Sequence, residues 1–243
     1  MKRTERHHLK ENEFAEWLLG AKNWYEANSK TAGYVGIAAA LLLAAVMGTL
    51  AFRQMSAGKA NSALAEALTV AEAPVLPPAP AEAGKPPVQR PGTFPTDRAR
   101  FEAALPKLLA VAEAYPGSDA GIMARYRAAA TLVAIGRTQE GIQRYKEVVE
   151  KGRGAYQAMA RLGIAEAQMM AGQFEQAIAS FKELESLKSD DVPVDGVLMQ
   201  LARAYRLAGK AEDARKTFKR VVNEFPQSPY APAARREAEG TGA

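Results

Sequence analysis

Residues able to do chemistry are scarce in this chain of 243 residues, and the few present are poorly spaced for it. There is no cysteine, which excludes disulfide staples, thiolate zinc sites, cysteine nucleophiles and a lipid-modified cysteine anchor. The two histidines, His7 and His8, are neighbours near the start, so a histidine-based proton relay or metal site is hard to assemble. Asp190, Asp191 and Asp195 share one loop and have the oxygen ligands a hard cation needs. The plainer reading is that they cap the next helix, with Pro193 in its first turn. Neither a glycine-rich phosphate loop after a strand nor a G-x-S-x-G turn occurs. The basic excess does not point to nucleic acid: residues 97–243 hold 22 Lys+Arg against 19 Asp+Glu, without a basic stripe or interleaved aromatics. Lys216, Lys219 and Arg220 read as a solvated helix face. The expectation is a protein that is not an enzyme, uses no cofactor or metal, and acts by binding.

The elements that carry such a function are helical. Aromatics make up only 7% of the chain and alanine is abundant, which favours helices packed through small residues over a sheet. Between Lys30 and Arg53 runs an uncharged stretch, 31–52, whose 22 residues span roughly 33 Å as a helix. Nine strongly apolar side chains there contribute roughly −4 kcal/mol towards insertion in a bilayer. A buried helix of a soluble core fits less well, because cores seldom hide that length without a polar face. A cleaved secretory signal fits less well too, since the leader and the apolar run are both too long and FRQMSAGK is a poor cleavage site. The leader, 1–30, holds six basic residues and the twenty residues after the span only two, which places the N-terminus in the cytoplasm and the rest outside. In a Gram-negative bacterium that means an inner-membrane protein with a periplasmic domain. Ala32, Gly36, Ala40, Ala44 and Gly48 recur every four residues, a face on which another membrane helix can pack closely. Phe14, Trp17, Leu18, Ala21, Trp24 and Tyr25 make an amphipathic leader helix at the membrane surface.

Beyond the span, 53–73 reads as a helical stalk with Ala60, Leu64, Ala67, Leu68 and Ala71 on one side. Residues 74–96 hold eight of the fourteen prolines and read as an extended linker, a tether for a domain at 97–243. Thr96 and Asp97 cap a helix to Tyr115, which Pro106 should kink or deprive of one hydrogen bond. Then the chain becomes periodic. Gly136, Gly172 and Gly209 end three apolar-periodic segments, at spacings of 36 and 37. Seven residues before each stands Ala129, Ala165 or Ala202, and five after comes Gly141, Ala177 or Ala214. Nine after comes Tyr145, Phe181 or Phe218, and twelve after comes Val148, Leu184 or Val221. Ala104, Leu108 and Val111 give a preceding half-match. Each unit is a helical hairpin whose glycine makes a left-handed turn, and such units must stack to bury their apolar faces. Ser228-Pro229 starts a short capping helix to about Glu239.

This pattern resembles the tetratricopeptide repeat over about 120–240, with three hairpins at about 120–226. It departs from the family in its longer spacing and in a first-helix aromatic present only as Tyr205, where earlier units have Leu132 and Gln168. The expected fold is all-α: one transmembrane helix followed by a tetratricopeptide-like solenoid. The resemblance implies a concave groove lined by Met123, Tyr126, Ala130, Val133 and Ala134, then Met159, Leu162, Glu166, Met169 and Met170, then Gly196, Met199, Arg203, Arg206 and Leu207. Five of the eight methionines fall on that set, and a flexible methionine surface suits varied apolar segments, although methionine also fills gaps between helices. Arg203 and Arg206 are placed to hold an acidic group or a terminal carboxylate. The layout of leader, span and repeats is similar to bacterial membrane-anchored repeat proteins of the ancillary translocon-subunit type, and to envelope-assembly and cell-division coordinators. It implies an adaptor for secreted or envelope polypeptides, with a self-associating structural coordinator as the alternative.

Overall fold

The computed structural model describes residues 16, 19–24, 26–78, 88–187 and 191–240. The described residues fall into two compact units, Met1–Ser56 and Ala57–Ala243. In the first, helix α1 begins at Ser29; it runs to Ala71, 43 residues without a break. Its N-terminal half is long and apolar enough to cross a membrane. There Leu41, Leu42, Leu43, Met47 and Phe52 all stand exposed, and open space surrounds Gly36 and Gly48. Gly36, Ala40, Ala44 and Gly48 of the small-residue face are exposed with them; the side chain of Ala32 lies outside the description. Of the leader's amphipathic set, Ala21 and Trp24 are helical and exposed, and Phe14, Trp17, Leu18 and Tyr25 lie outside the described residues.

The second unit is a run of antiparallel helical hairpins. Helix α2 spans Asp97–Ala114, α3 Asp119–Ala134, α4 Thr138–Lys151, α5 Ala155–Met170, α6 Phe174–Leu187, α7 Val194–Leu207, α8 Ala211–Glu224 and α9 Ala231–Glu239. Each helix packs on the next from α2 to α9, and the first helices α3, α5 and α7 also touch one another. Gly136, Gly172 and Gly209 sit at φ of 88°, 72° and 76°, the left-handed turn that glycine makes without steric cost. Thr96 caps α2, its side chain accepting from the Ala99 N–H at 3.1 Å. The helix continues through Pro106, which has no N–H to donate. At the far end α9 starts at Ala231, three residues after Ser228, whose hydroxyl accepts from the Tyr230 N–H.

The stalk and tether expected at 53–96 take a different form. The last turns of α1 are part of the repeat core: Ala60, Leu64 and Ala67 are buried with Ala104, Leu105, Leu108 and Leu132. Glu66 pairs with Lys107 at 3.0 Å, and Arg100 donates to the Ala73 carbonyl at the C-terminal end of α1. The end of α1 and α2 therefore form a hairpin that precedes the other three. This explains the half-match at Ala104, Leu108 and Val111, all buried, because α2 occupies the second-helix place. The proline-rich segment is closed at its base: the Phe94 N–H donates to the Pro74 carbonyl and the Leu76 N–H to the Phe94 carbonyl. It joins two packed helices where a glycine turn would stand, and the boundary of the folded unit lies at Ala57. A fragment starting at Asp97 strips the cover from Leu105 and Leu108. Fragment 57–243 is expected to melt several degrees above 97–243 in thermal circular dichroism; equal melting would show the α1 packing to be dispensable.

Aromatic residues close the joints between hairpins. Phe181 (0% exposed) and Phe218 (2%) lie within one core built from α5 to α9. Tyr145 fills the joint between α4 and α5 by lying against Gly163, where an added Cβ would stand 2.6 Å from the ring. Gly141 has the same role one turn earlier, with the Ala129 carbonyl 2.9 Å from where its Cβ would be.

Candidate functional site

The first helices α3, α5 and α7, which meet across consecutive hairpins, carry the face that the repeat resemblance implies to be the groove. Its positions do not share one fate. Met159 (37% exposed) and Met170 (68%) are open to solvent, and Leu207 is exposed. Tyr126, Leu162, Glu166 and Arg203 are half-buried, and Ala134 is exposed. Met123 leans on the α1–α2 core, Val133 and Ala130 on the Tyr145 core, and Met169 on the C-terminal core. Met199 is 2% exposed and belongs to that last core; its closely packed surroundings, rather than a partner, account for a methionine there. The expected methionine surface is thus split between wall and core.

Between α5, α7 and the turn preceding α9 lies a cavity of about 400 Å³. Leu162, Glu166, Gly196, Met199 and Arg203, all implied by the repeat resemblance, line it together with Val192, Gln200 and Tyr230, which were not. Two details build its outer wall. Asp195 accepts from the Ser228 hydroxyl at 2.6 Å, which latches the turn before α9 to α7. Gly196, one residue on, lies against the Tyr230 ring, which is at ordinary contact distance, 3.5 Å, from where a Cβ would be. Asp195 also accepts from the Gly196 N–H, but it sits in the first turn of α7 behind Pro193 at the N-cap position, and no side chain caps the helix. Asp190 lies outside the described residues. Among the described residues no group of three acidic or histidine side chains is spaced to hold a metal ion.

The charged residues sort themselves by pairing. Arg206 is tied to Glu237 of α9, which removes it from the expected acid-binding pair and leaves Arg203. Arg220 reaches Glu185 at 2.7 Å and Glu224 at 2.7 Å, joining α8 to α6 rather than standing as a bare cation. Glu166 has one polar partner among the described residues, the Gln200 amide, which donates at 3.5 Å. Burial holds its carboxyl above the ordinary glutamate range, and the Gln200 hydrogen bond only partly opposes that. Tyr126, beside Tyr145 at 5.5 Å and Tyr156 at 6.1 Å, is pushed up by burial first and by the Glu166 charge second.

A group whose pKa is higher in the folded chain stabilises it below the unfolded pKa, and that contribution is lost as pH rises through the folded value. Wild type should therefore lose stability upward from the ordinary glutamate range. Glu166→Gln is expected to be the more stable protein at pH 7.5, with the difference gone at pH 4, by urea unfolding at both. A variant less stable than wild type at pH 7.5 would show that the charged form is favoured.

Residues 169–237 match the tetratricopeptide repeat family model. The solenoid is a tetratricopeptide-like array. Solved structures with a similar run of hairpins include a putative kinesin light chain from Podospora anserina with nearly identical tetratricopeptide-like repeats. It is 18% identical, with a TM-score of 0.49 over 57% of this chain and 76% of that one. Another is the structure of MamA, 18% identical with a TM-score of 0.47 over 59% of this chain and 80% of that one. No curated protein matches the chain. The matched stretch runs from the end of α5 into α9 and holds the Gly172 and Gly209 turns with Phe181 and Phe218.

Proposed function

We propose that the chain is a non-catalytic, membrane-anchored adaptor whose tetratricopeptide-like array holds segments of other polypeptides on its concave face. The observation that carries this reading is the cavity between α5 and α7, lined by residues of the face that the repeat resemblance implies as the groove. Half-buried polar groups, apolar walls and nearby exposed methionines give it the mixed lining of a peptide site. The apolar first part of α1 is the anchor. With six basic residues before it and two just after, the leader faces the cytoplasm and the array the periplasm of a bacterial inner membrane. There it assists secreted or envelope proteins in a chaperone-like way, near the translocon. Gly36, Ala40, Ala44 and Gly48 form the face through which α1 meets a second membrane helix, from a partner or another copy.

Site-specific photocrosslinking in intact cells tests this. A photoreactive residue at Leu162 or Leu207 should yield adducts with other polypeptides, and one at Lys219 on the outer side should not. Adducts only with a second copy would favour the structural coordinator, and no concave adducts would remove the adaptor. A protease digesting a tag after Arg236 in sealed spheroplasts would support the orientation; protection until lysis would reverse it.

A further inference from the structure

Glu166 is an oddity on the concave face. It is half-buried at the edge of the cavity, and among the described residues its polar partner is a long hydrogen bond from Gln200. Along the same run of first helices Tyr126 packs on Tyr145 and Tyr156. The cavity itself is walled by Leu162, Met199 and Tyr230. A carboxylate beside apolar walls is the setting in which a guanidinium or ammonium is best compensated for leaving water. The ion pair supplies direct attraction, and the apolar walls keep water from screening it. The cation already in the cavity does not fill that place. Arg203 donates to the Gln200 carbonyl at 3.2 Å, and the same amide turns its N–H to Glu166, so the glutamine stands between the two charges. The other carboxylate at the wall, Asp195, is taken by Ser228 and the Gly196 N–H.

We propose that this cavity receives an arginine or lysine side chain carried on an extended, otherwise apolar segment of the partner polypeptide. The cation pairs with Glu166, and the flanking apolar side chains cover Leu162 and Tyr230. The inference rests on the reading that the concave face binds polypeptide, and it narrows the partner from any apolar segment to one with a basic residue in it. Acidification that protonates Glu166 removes the ion pair, so affinity falls at low pH. The polar group that faces Glu166 is the Gln200 amide, which does not titrate, and burial pushes the Tyr126 and Tyr145 phenols up, away from that range.

The test uses the full chain in nanodiscs, with empty nanodiscs as blank, and three fluorescein-labelled hexapeptides read by anisotropy. Their sequence is Ala-Leu-X-Leu-Ala-Leu, blocked at both ends, with X as arginine, glutamine or glutamate. The arginine peptide should bind about tenfold more tightly than the glutamine one, as one charge-assisted hydrogen-bonded pair allows, and the glutamate peptide more weakly still. Glu166→Gln should abolish that preference and Arg203→Gln should keep it. Two results would overturn the proposal: a preference for the glutamate peptide that disappears in Arg203→Gln, or an arginine preference unchanged by Glu166→Gln. Concave crosslinks in cells with no discrimination among the three peptides would sink this proposal alone. Absence of both crosslinks and peptide binding would take the adaptor reading with it.

Discussion

Replacing Glu147 with alanine is expected to destabilise the array by about 2–3 kcal/mol, far more than removing a surface carboxylate. Its partner, Arg125 on α3, is 3% exposed. Arg125 donates through Nη2 to the Ala112 carbonyl at 2.8 Å, and its Nε lies 3.1 Å from a Glu147 oxygen on α4. Neither Nε nor Nη1 makes a hydrogen bond, so Glu147 compensates the guanidinium as a charge. With Glu147 gone, a guanidinium remains in the joint between α2, α3 and α4 with one carbonyl for company, and the uncompensated charge sets the cost. The figure sits below that for a fully enclosed pair because the Glu147 side chain keeps 24% of its exposure and also meets Arg144. Arg125→Met should cost about 1 kcal/mol, the worth of the freed Ala112 carbonyl, since the buried charge leaves with the side chain. The double variant should resemble Arg125→Met alone. Urea unfolding of the four proteins closes the cycle; additive losses would mean that the two charges do not interact.

Phe181→Ala is expected to cost about 3–5 kcal/mol and to lower the melting temperature by roughly 10 °C. Phe181 is wholly enclosed, and the cavity left behind would open onto Leu198, Ala165 and Phe218 of the same core. In a stacked array each hairpin is stabilised by its neighbours, so the helices from α7 onward should lose protection first in hydrogen exchange. Met159→Ala, on an exposed side chain in the same pair of helices, should change stability by less than about 0.5 kcal/mol. Similar losses from the two would contradict the assignment of Phe181 as the wedge between hairpins.

Features fixed by short-range rules were readable from residues alone. A glycine at φ near 80° is demanded by a helix that must reverse within a few residues, and Gly136, Gly172 and Gly209 stand where the apolar pattern breaks. Small residues at fixed offsets mark close helix approach, and Ala129, Ala165, Ala177 and Ala202 are all fully buried. The stripe Ala60, Leu64, Ala67 was legible as one apolar side, yet its partner was not, because a proline-rich connection hides the hairpin that a glycine turn would announce. The cavity was half legible: the repeat resemblance implied Leu162, Glu166 and Arg203, but Tyr230 arrives from a turn held by one serine–aspartate hydrogen bond that no periodicity signals. Met199 shows the limit of face assignment, since a position on the inner side of a first helix is covered once the following turn folds over it. Arg206 and Arg203, equivalent on a helical wheel, differ because a glutamate of α9 reaches only the former.

The paired backbone at Pro74, Leu76 and Phe94 turns what looks like a spacer into an ornament pinned at its neck. Residues can be inserted or deleted between those anchors at little thermodynamic expense, since doubling such a loop adds only about 0.6 kcal/mol of closure entropy. Its length is therefore open to drift among descendants of this chain, while the hairpin it closes is held in register by Leu64, Leu105 and Leu108.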